Sequence, residues 1–262
     1  MSLVVKDIQA STIDDAFRVC SFNRLEDPLQ QQGMEIKRRW LLDMLNDYGP
    51  CTKIAYLRER PVAQILFYPE EAAPFILPPR EGVVVLSCAY NPFPEAQGKG
   101  AASALVKSLV EEARTGLRCL RGEPCSFIAA KPFDTGAELS LGDFYARCGF
   151  SGAEGEMYME ISGKYRSRGE TEYHPLPEDR GRALMFYDPM CEWGYGFAVR
   201  VRELIHDIEP ELPFEMINSW ERPEEFMRRG NQVLIVNAAV IQSFWTDREA
   251  FRTEVEQAIR GQ

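Results

Sequence analysis

The segment Gln97, Gly98, Lys99, Gly100, Ala101, Ala102 and Ser103 has the composition of an anion cradle. It follows an apolar run and opens an amphipathic one, so it should join a strand to a helix. A pyrophosphate needs several backbone N–H donors converging on it, and a helix N-terminus supplies both donors and positive dipole. Glycines at 98 and 100 and alanines at 101 and 102 keep side chains from blocking that approach. The spacing is not the G-x-G-x-x-G dinucleotide fingerprint, and no Lys-Ser/Thr pair follows a G-x-x-x-x-G. Taken alone, these residues fit a closely packed helix start as well as an anion site.

Other chemistry is thinner. Seven cysteines, at 20, 51, 88, 119, 125, 148 and 191, are odd in number and include no C-x-x-C. This suits reduced thiols in a cytoplasmic protein better than a disulfide framework or paired zinc ligands. With only His174 and His206 present, no metal site is expected. Thirty Lys and Arg against 40 Asp and Glu leave a net charge of −10, which disfavours a nucleic-acid partner. The apolar run 83–90 is far short of the ~20 residues that span a bilayer. Residues 1–6 lack a basic segment followed by a long apolar one, so neither a membrane nor a secretory route is expected.

The elements that must position the cradle can be read from periodicity. The 262 residues, 45% hydrophobic, allow one large domain or two modest ones. Residues 35–48 read as a helix, with Trp40, Leu41, Met44, Leu45 and Tyr48 on one face. Residues 53–57 and 61–68 are rich in β-formers and flank a hairpin turn at Arg58, Glu59 and Arg60. Residues 82–90 form a continuous apolar run, as in a strand covered on both faces. After the loop 91–99 comes a helix with Ala102, Leu105, Val106, Leu109, Val110 and Ala113 on one side. A strand at 125–131, a helix at 139–148 and a strand at 156–161 complete an α/β pattern with a mixed sheet. The polar stretch 164–181, punctuated by Gly and Pro, reads as a linker between domains 1–163 and 182–262.

Q-x-x-G-x-A, at Gln97, Gly100 and Ala102, resembles the acetyl-CoA signature of the GNAT superfamily of N-acetyltransferases. A second element, Phe144, Tyr145, Ala146, Arg147, Cys148, Gly149 and Phe150, is similar to the Y-x-x-x-G-F ending of that family's last helix. The resemblance spans roughly residues 1–161. It implies a GNAT fold with a splayed, mixed sheet and acetyl-CoA inserted where two parallel strands part, near Tyr90 and Lys131. It implies pantetheine contacts with the backbone at Cys88 and Tyr90 and pyrophosphate contacts with Gln97, Gly98, Lys99, Gly100, Ala101, Ala102 and Ser103. A primary amine would attack the thioester directly in a ternary complex, a strand-end N–H stabilising the oxyanion. Tyr145 would protonate or hydrogen-bond the departing sulfur, a role suited to a phenol with a pKa near ~10. Many members carry Asn early in the last helix, where this chain has Glu138. Glu70, Glu71, Glu81 and Asp134 are the strand-end carboxylates that could act as base.

In the remaining part, strands are expected at 182–187, 213–217, 232–236 and 241–244. Helices are expected around 197–208, at 224–229 and at 247–259, the last capped by Thr246. This order is similar to thioredoxin-like domains, with Cys191 at the place of the nucleophilic cysteine. A thiol at a helix N-terminus is activated, but Gly194 stands where a resolving cysteine would be. A GNAT domain followed by a thioredoxin-like one resembles YoaP-like acetyltransferases. The reading that follows is an N-acetyltransferase using acetyl-CoA on a small-molecule or peptide amine. The alternatives are a non-catalytic acyl-CoA-binding or sensing protein and a thiol-based redox protein acting through Cys191. Homo-oligomerisation is left open.

Overall fold

The apolar run after Gly82 becomes the central strand of a seven-stranded sheet. The computed structural model describes residues 3–132, 139–153, 155–169 and 171–261. The chain divides into two compact units, one of Met1–Leu25 and Arg38–Arg168, the other of Glu26–Lys37 and Gly169–Gln262.

In the first unit the strands are β1 (Leu3–Asp7), β2 (Thr52–Leu57), β3 (Arg60–Pro69), β4 (Val83–Tyr90), β5 (Phe127–Ala130), β6 (Ser151–Ala153) and β7 (Glu156–Glu160). Their order is β1-β2-β3-β4-β5-β7-β6. β4 and β5 run parallel and the other neighbours antiparallel, which makes the sheet mixed as expected. The helices are α1 (Ile13–Cys20), the part of α2 (Pro28–Asp47) from Arg38 on, α3 (Ala101–Thr115) and α4 (Leu141–Arg147). Three of these elements, β1, α1 and β6, stand where the sequence reading assigns none.

Several boundaries move for identifiable reasons. α2 begins at Pro28 rather than 35, because Asp27 accepts hydrogen bonds from the N–H groups of Leu29 and Gln30 at 2.9 and 3.2 Å. Its first turns are glutamine-rich, so they carry no apolar period. α4 begins at Leu141 rather than 139, where the Ser140 hydroxyl accepts from the Asp143 N–H at 3.0 Å. The buried stripe of α3 is Ala101, Leu105, Val106, Leu109, Val110 and Ala113, with Ala102 only half-buried. Burying each large apolar side chain of that stripe contributes about 1.5–3 kcal/mol. α3 also packs through charge: the buried Lys53 ammonium of β2 reaches Asp7 at 2.6 Å and Glu112 of α3 at 2.5 Å.

The second unit has a four-stranded sheet of β8 (Ala183–Tyr187), β9 (Phe214–Asn218), β10 (Leu234–Val236) and β11 (Ala239–Val240), in the order β11-β10-β8-β9. β8 and β9 are parallel; the other pairs are antiparallel. Its helices are α5 (Gly194–His206), α6 (Pro223–Arg228) and α7 (Arg248–Arg260). Ala183, Met185, Val201, Ile205, Leu234, Val236, Phe251 and Val255 form the core. The strand expected at 241–244 is instead 239–240. Asn237 and Ala238, at φ of 48° and 63°, make a two-residue hairpin turn. Beyond it the N–H groups of Gln242 and Ser243 donate to the Glu254 carboxylate rather than to a strand. α7 is capped by Asp247, not Thr246: its side chain accepts from the Ala250 N–H.

Residues 171–181 are held by specific polar contacts. Thr171 donates to the Gly230 carbonyl at 2.9 Å, and Tyr173 donates to Asp179 at 3.0 Å. Asp179 is buried and pairs with the buried Arg229 at 2.7 Å. Among the described residues no helix is long and apolar enough to cross a membrane.

Candidate active site

The β4–β5 ladder runs from Val83–Phe127 to Leu86–Ala130, while β4 continues to Tyr90 along β3. The strands part where β5 ends at Ala130, and β4 is irregular at the same level. Phe67 pairs with Leu86 and Leu66 with Cys88, so Ser87 is an extra residue, a bulge that bends and twists the strand. Nothing in the sequence marks that bulge. Cys88 is half-buried and Tyr90 is at the exposed limit.

From Tyr90 the chain enters a tight loop. Asn91 donates from Nδ2 to the Ala96 carbonyl, and Gln97 donates from Nε2 to the Asn91 carbonyl, both at 3.2 Å. The Gln97 side chain therefore shapes the loop from within. Phe93 is buried beneath it, 5.0 Å from the Phe22 ring and 4.5 Å from the Arg60 guanidinium. α3 then starts with Gly100 as its cap residue, and the Ala104 N–H donates to the Gly100 carbonyl at 2.8 Å. The N–H groups of Ala101, Ala102 and Ser103 precede that first helical bond and point out of the helix end.

The glycines separate the two sequence readings of this helix start. Gly98 and Gly100 have φ of +68° and +77°, and a Cβ at either would meet nothing within 4 Å. They are there for left-handed backbone and leave open space, which is not what close packing requires. Gly98, Lys99, Gly100 and Ser103 are exposed along with Gln97; Ala101 is buried and belongs to the core.

Tyr145 lies in α4 with 0% exposure, its ring between Phe144 at 5.6 Å and Phe150 at 5.5 Å. Its hydroxyl is buried with no hydrogen-bond partner. Burial, followed by the influence of Cys88 and Cys148, pushes the phenol well above its ordinary value, so it holds its proton throughout the neutral range. A hydrogen bond between Ser103 of α3 and the Cys148 thiol works against the burial that raises that thiol. Thus Ser103, Cys88, Tyr145 and Cys148 gather where β4 leaves β5.

Of the carboxylates proposed as base, Glu70, Glu71 and Glu81 do not join them. The register pairs Pro69 with Val84 and Gln64 with Tyr90, so Glu70, Glu71 and Glu81 sit at the end of β3 and β4 opposite the parting. Glu70 is moreover buried and committed, at 2.6 Å from Arg80 and 2.5 Å from Arg168. Burial raises its carboxyl, but the Arg80 hydrogen bonds and the Arg168 and Arg80 charges outweigh this and hold it below the usual range. Asp134 and Glu138 lie outside the described residues.

Cys191 precedes α5 in the second unit and is exposed. Even so, desolvation raises its thiol, and the Lys37 ammonium and the Trp193 backbone do not reverse this. That is the opposite of the activation expected from a helix start.

No protein-family model matches the chain, and no curated protein matches it. Among solved structures, it is similar to a GNAT family acetyltransferase from Brucella melitensis in complex with acetyl-CoA, at TM-score 0.44 and 17% identity over 66% of this chain and 96% of that one. An N-acetyltransferase from Staphylococcus aureus Mu50 aligns at TM-score 0.44 and 13% identity, over 61% and 99% of the two chains. A ribosomal-protein-alanine N-acetyltransferase from Brucella melitensis aligns at TM-score 0.41 and 16% identity, over 60% and 99%.

Proposed function

We propose that the first unit is a GNAT-type N-acetyltransferase that moves an acetyl group from acetyl-CoA to a primary amine by direct attack in a ternary complex. The observation that carries this is the unpartnered, fully buried Tyr145 hydroxyl at the point where β4 and β5 part, a donor with nothing to donate to. A buried hydroxyl left so costs about 1–3 kcal/mol, which a sulfur acceptor there would recover in part.

The residues that would hold the coenzyme are the backbone at Cys88 and Tyr90 and the open turn Gly98 to Ser103. Acetyl-CoA supplies, when bound, an acyl group activated as a thioester. Tyr145 keeps its proton for the departing sulfur, and a β4 N–H near the Ser87 bulge faces the carbonyl oxygen. Because the Tyr145 side chain is fully buried, the sulfur reaches it only if the surrounding side chains give way by a small movement. With Glu70, Glu71 and Glu81 at the far end, the amine arrives neutral or loses its proton to water.

The domains 1–163 and 182–262 with the linker 164–181 are kept as part of this proposal, with Glu26–Lys37 counted toward the second body. We read that second body as thioredoxin-like, as in YoaP-like proteins, supported by the strand order β11-β10-β8-β9 with β8 and β9 parallel. A redox role for Cys191 is the weaker reading, since Gly194 stands where a resolving cysteine would be.

The test is a thermal-shift titration with coenzyme A and acetyl-CoA, followed by a primary-amine panel with detection of released thiol. Binding with turnover is expected. Binding without turnover of any amine would favour the non-catalytic acyl-CoA sensor, and no binding would end both readings.

A further inference from the structure

Gln64 is 2% exposed, and its amide oxygen Oε1 is buried with no hydrogen-bond partner. The other end of the amide is engaged, Nε2 donating to the Cys20 thiol at the end of α1. Gln64 pairs with Tyr90 on one side and Ile54 on the other. Residues so paired across antiparallel strands project to one face of the sheet. Lys53, next to Ile54, projects to the other face and meets Glu112 of α3. Gln64 therefore lies under α1, on the face turned away from α3, at the end of the sheet where β4 leaves β5.

Resting on the acyl-transfer reading, this geometry has a consequence for the second substrate. The coenzyme's phosphates belong to the first turn of α3, so its tail occupies that helix's side. An acceptor reaching the thioester in a ternary complex has to come from another direction, and the opposite face is the one Gln64 occupies. An amine that attacks is neutral and carries N–H donors beside its lone pair. We infer that Gln64 binds the acceptor amine, Oε1 accepting one N–H so that the lone pair points to the acyl carbon. The amide does not titrate and takes no proton from the amine.

The full chain is compared with Gln64→Met, which keeps length and loses the acceptor, and Gln64→Glu, which keeps an acceptor that titrates. The probe is whichever primary amine of the panel the unaltered protein turns over fastest. Gln64→Met should raise the amine KM about tenfold or more while the acetyl-CoA KM stays within about twofold. Gln64→Glu should keep a near-normal amine KM at alkaline pH and weaken as the carboxylate protonates, a second acidic limb added to the one that protonation of the amine itself gives the unaltered protein. An amine KM unchanged in Gln64→Met, or both KM values rising together, would overturn the assignment and leave the acyltransferase standing. Should the unaltered protein bind acetyl-CoA yet acetylate no amine, the reading beneath it fails and takes the assignment along.

Discussion

Tyr145 and Glu70 are both fully buried polar side chains, and their surroundings give them opposite prospects. Tyr145 has no partner for its hydroxyl, so Tyr145→Phe removes a desolvated group and keeps the ring between Phe144 and Phe150. Stability in urea should hold or rise by up to ~1 kcal/mol, while kcat falls about 10²–10⁴-fold as proton donation is lost. An unchanged kcat would take Tyr145 out of the mechanism. Glu70 is the reverse case, paired with Arg80 and Arg168 and held ionised below its ordinary pKa of 4.5. A depressed carboxyl adds stability that is present above its unfolded value and is lost as pH falls through the folded one. Glu70→Gln should cost about 3–5 kcal/mol at neutral pH, because the half-buried Arg80 keeps only part of its compensation. The variant's stability should also be flatter than the parent's as pH drops below the ordinary value of 4.5. Coenzyme binding should survive, since Glu70 lies at the other end of β3. Loss of binding with the fold intact would mean that end matters to the site.

At the level of elements, the site was legible where one segment carries both period and chemistry. The α3 stripe and the glycines before it are local, so Gly98 and Gly100 could be assigned to a turn from sequence. Glu70, Glu71 and Glu81 were misread because a strand end is visible in sequence whereas the register that decides which end it joins is not. Glu70, Glu71 and Glu81 look like cleft candidates until Pro69 is seen opposite Val84. The Ser87 bulge and the Gln64–Tyr90 pairing are cross-strand facts of the same kind. β6, β1 and α1 went unread because three-, five- and eight-residue elements give little pattern to count. The cradle makes its own prediction. At Gly100 a Cβ has room on all sides but the backbone is left-handed, so Gly100→Ala should cost only ~1–2 kcal/mol, seen as a modest fall in Tm. Coenzyme A affinity should drop by tenfold or more, about 1.4 kcal/mol, because the new methyl stands where phosphate must approach the amides. Equal, small losses in both would point to a turn with no anion to hold.

Over the whole molecule, the second unit recruits residues far away in sequence. Gly33 of α2 approaches the loop before α5 so closely that a Cβ would fall 2.0 Å from the Glu192 carbonyl oxygen. Four residues on, the buried Lys37 ammonium meets the buried Glu192 carboxylate at 2.8 Å. Leu29 lies within 4.0 Å of where a side chain at Gly196 would begin. The first turns of α2 are thus held by partners beyond residue 169, although they are encoded within the first 40 residues. Gly33 weakens this run by about 1 kcal/mol relative to Ala, and so short a helical segment is marginal alone, so those partners matter to it. By contrast the loop at 91–100, α3, α4 and the β4–β5 parting all belong to the first unit. A chain ending at Arg168 separates the two dependencies. Hydrogen exchange should show the amides of 28–37 losing protection by orders of magnitude, as Lys37 loses Glu192 and Gly33 loses its neighbouring backbone. The amides of 105–113 should keep theirs, and coenzyme A should bind within about threefold of the full chain, since every residue assigned to its phosphates is retained. Protection lost in both segments would mean that the coenzyme site depends on the second unit for its fold, and not on the first alone.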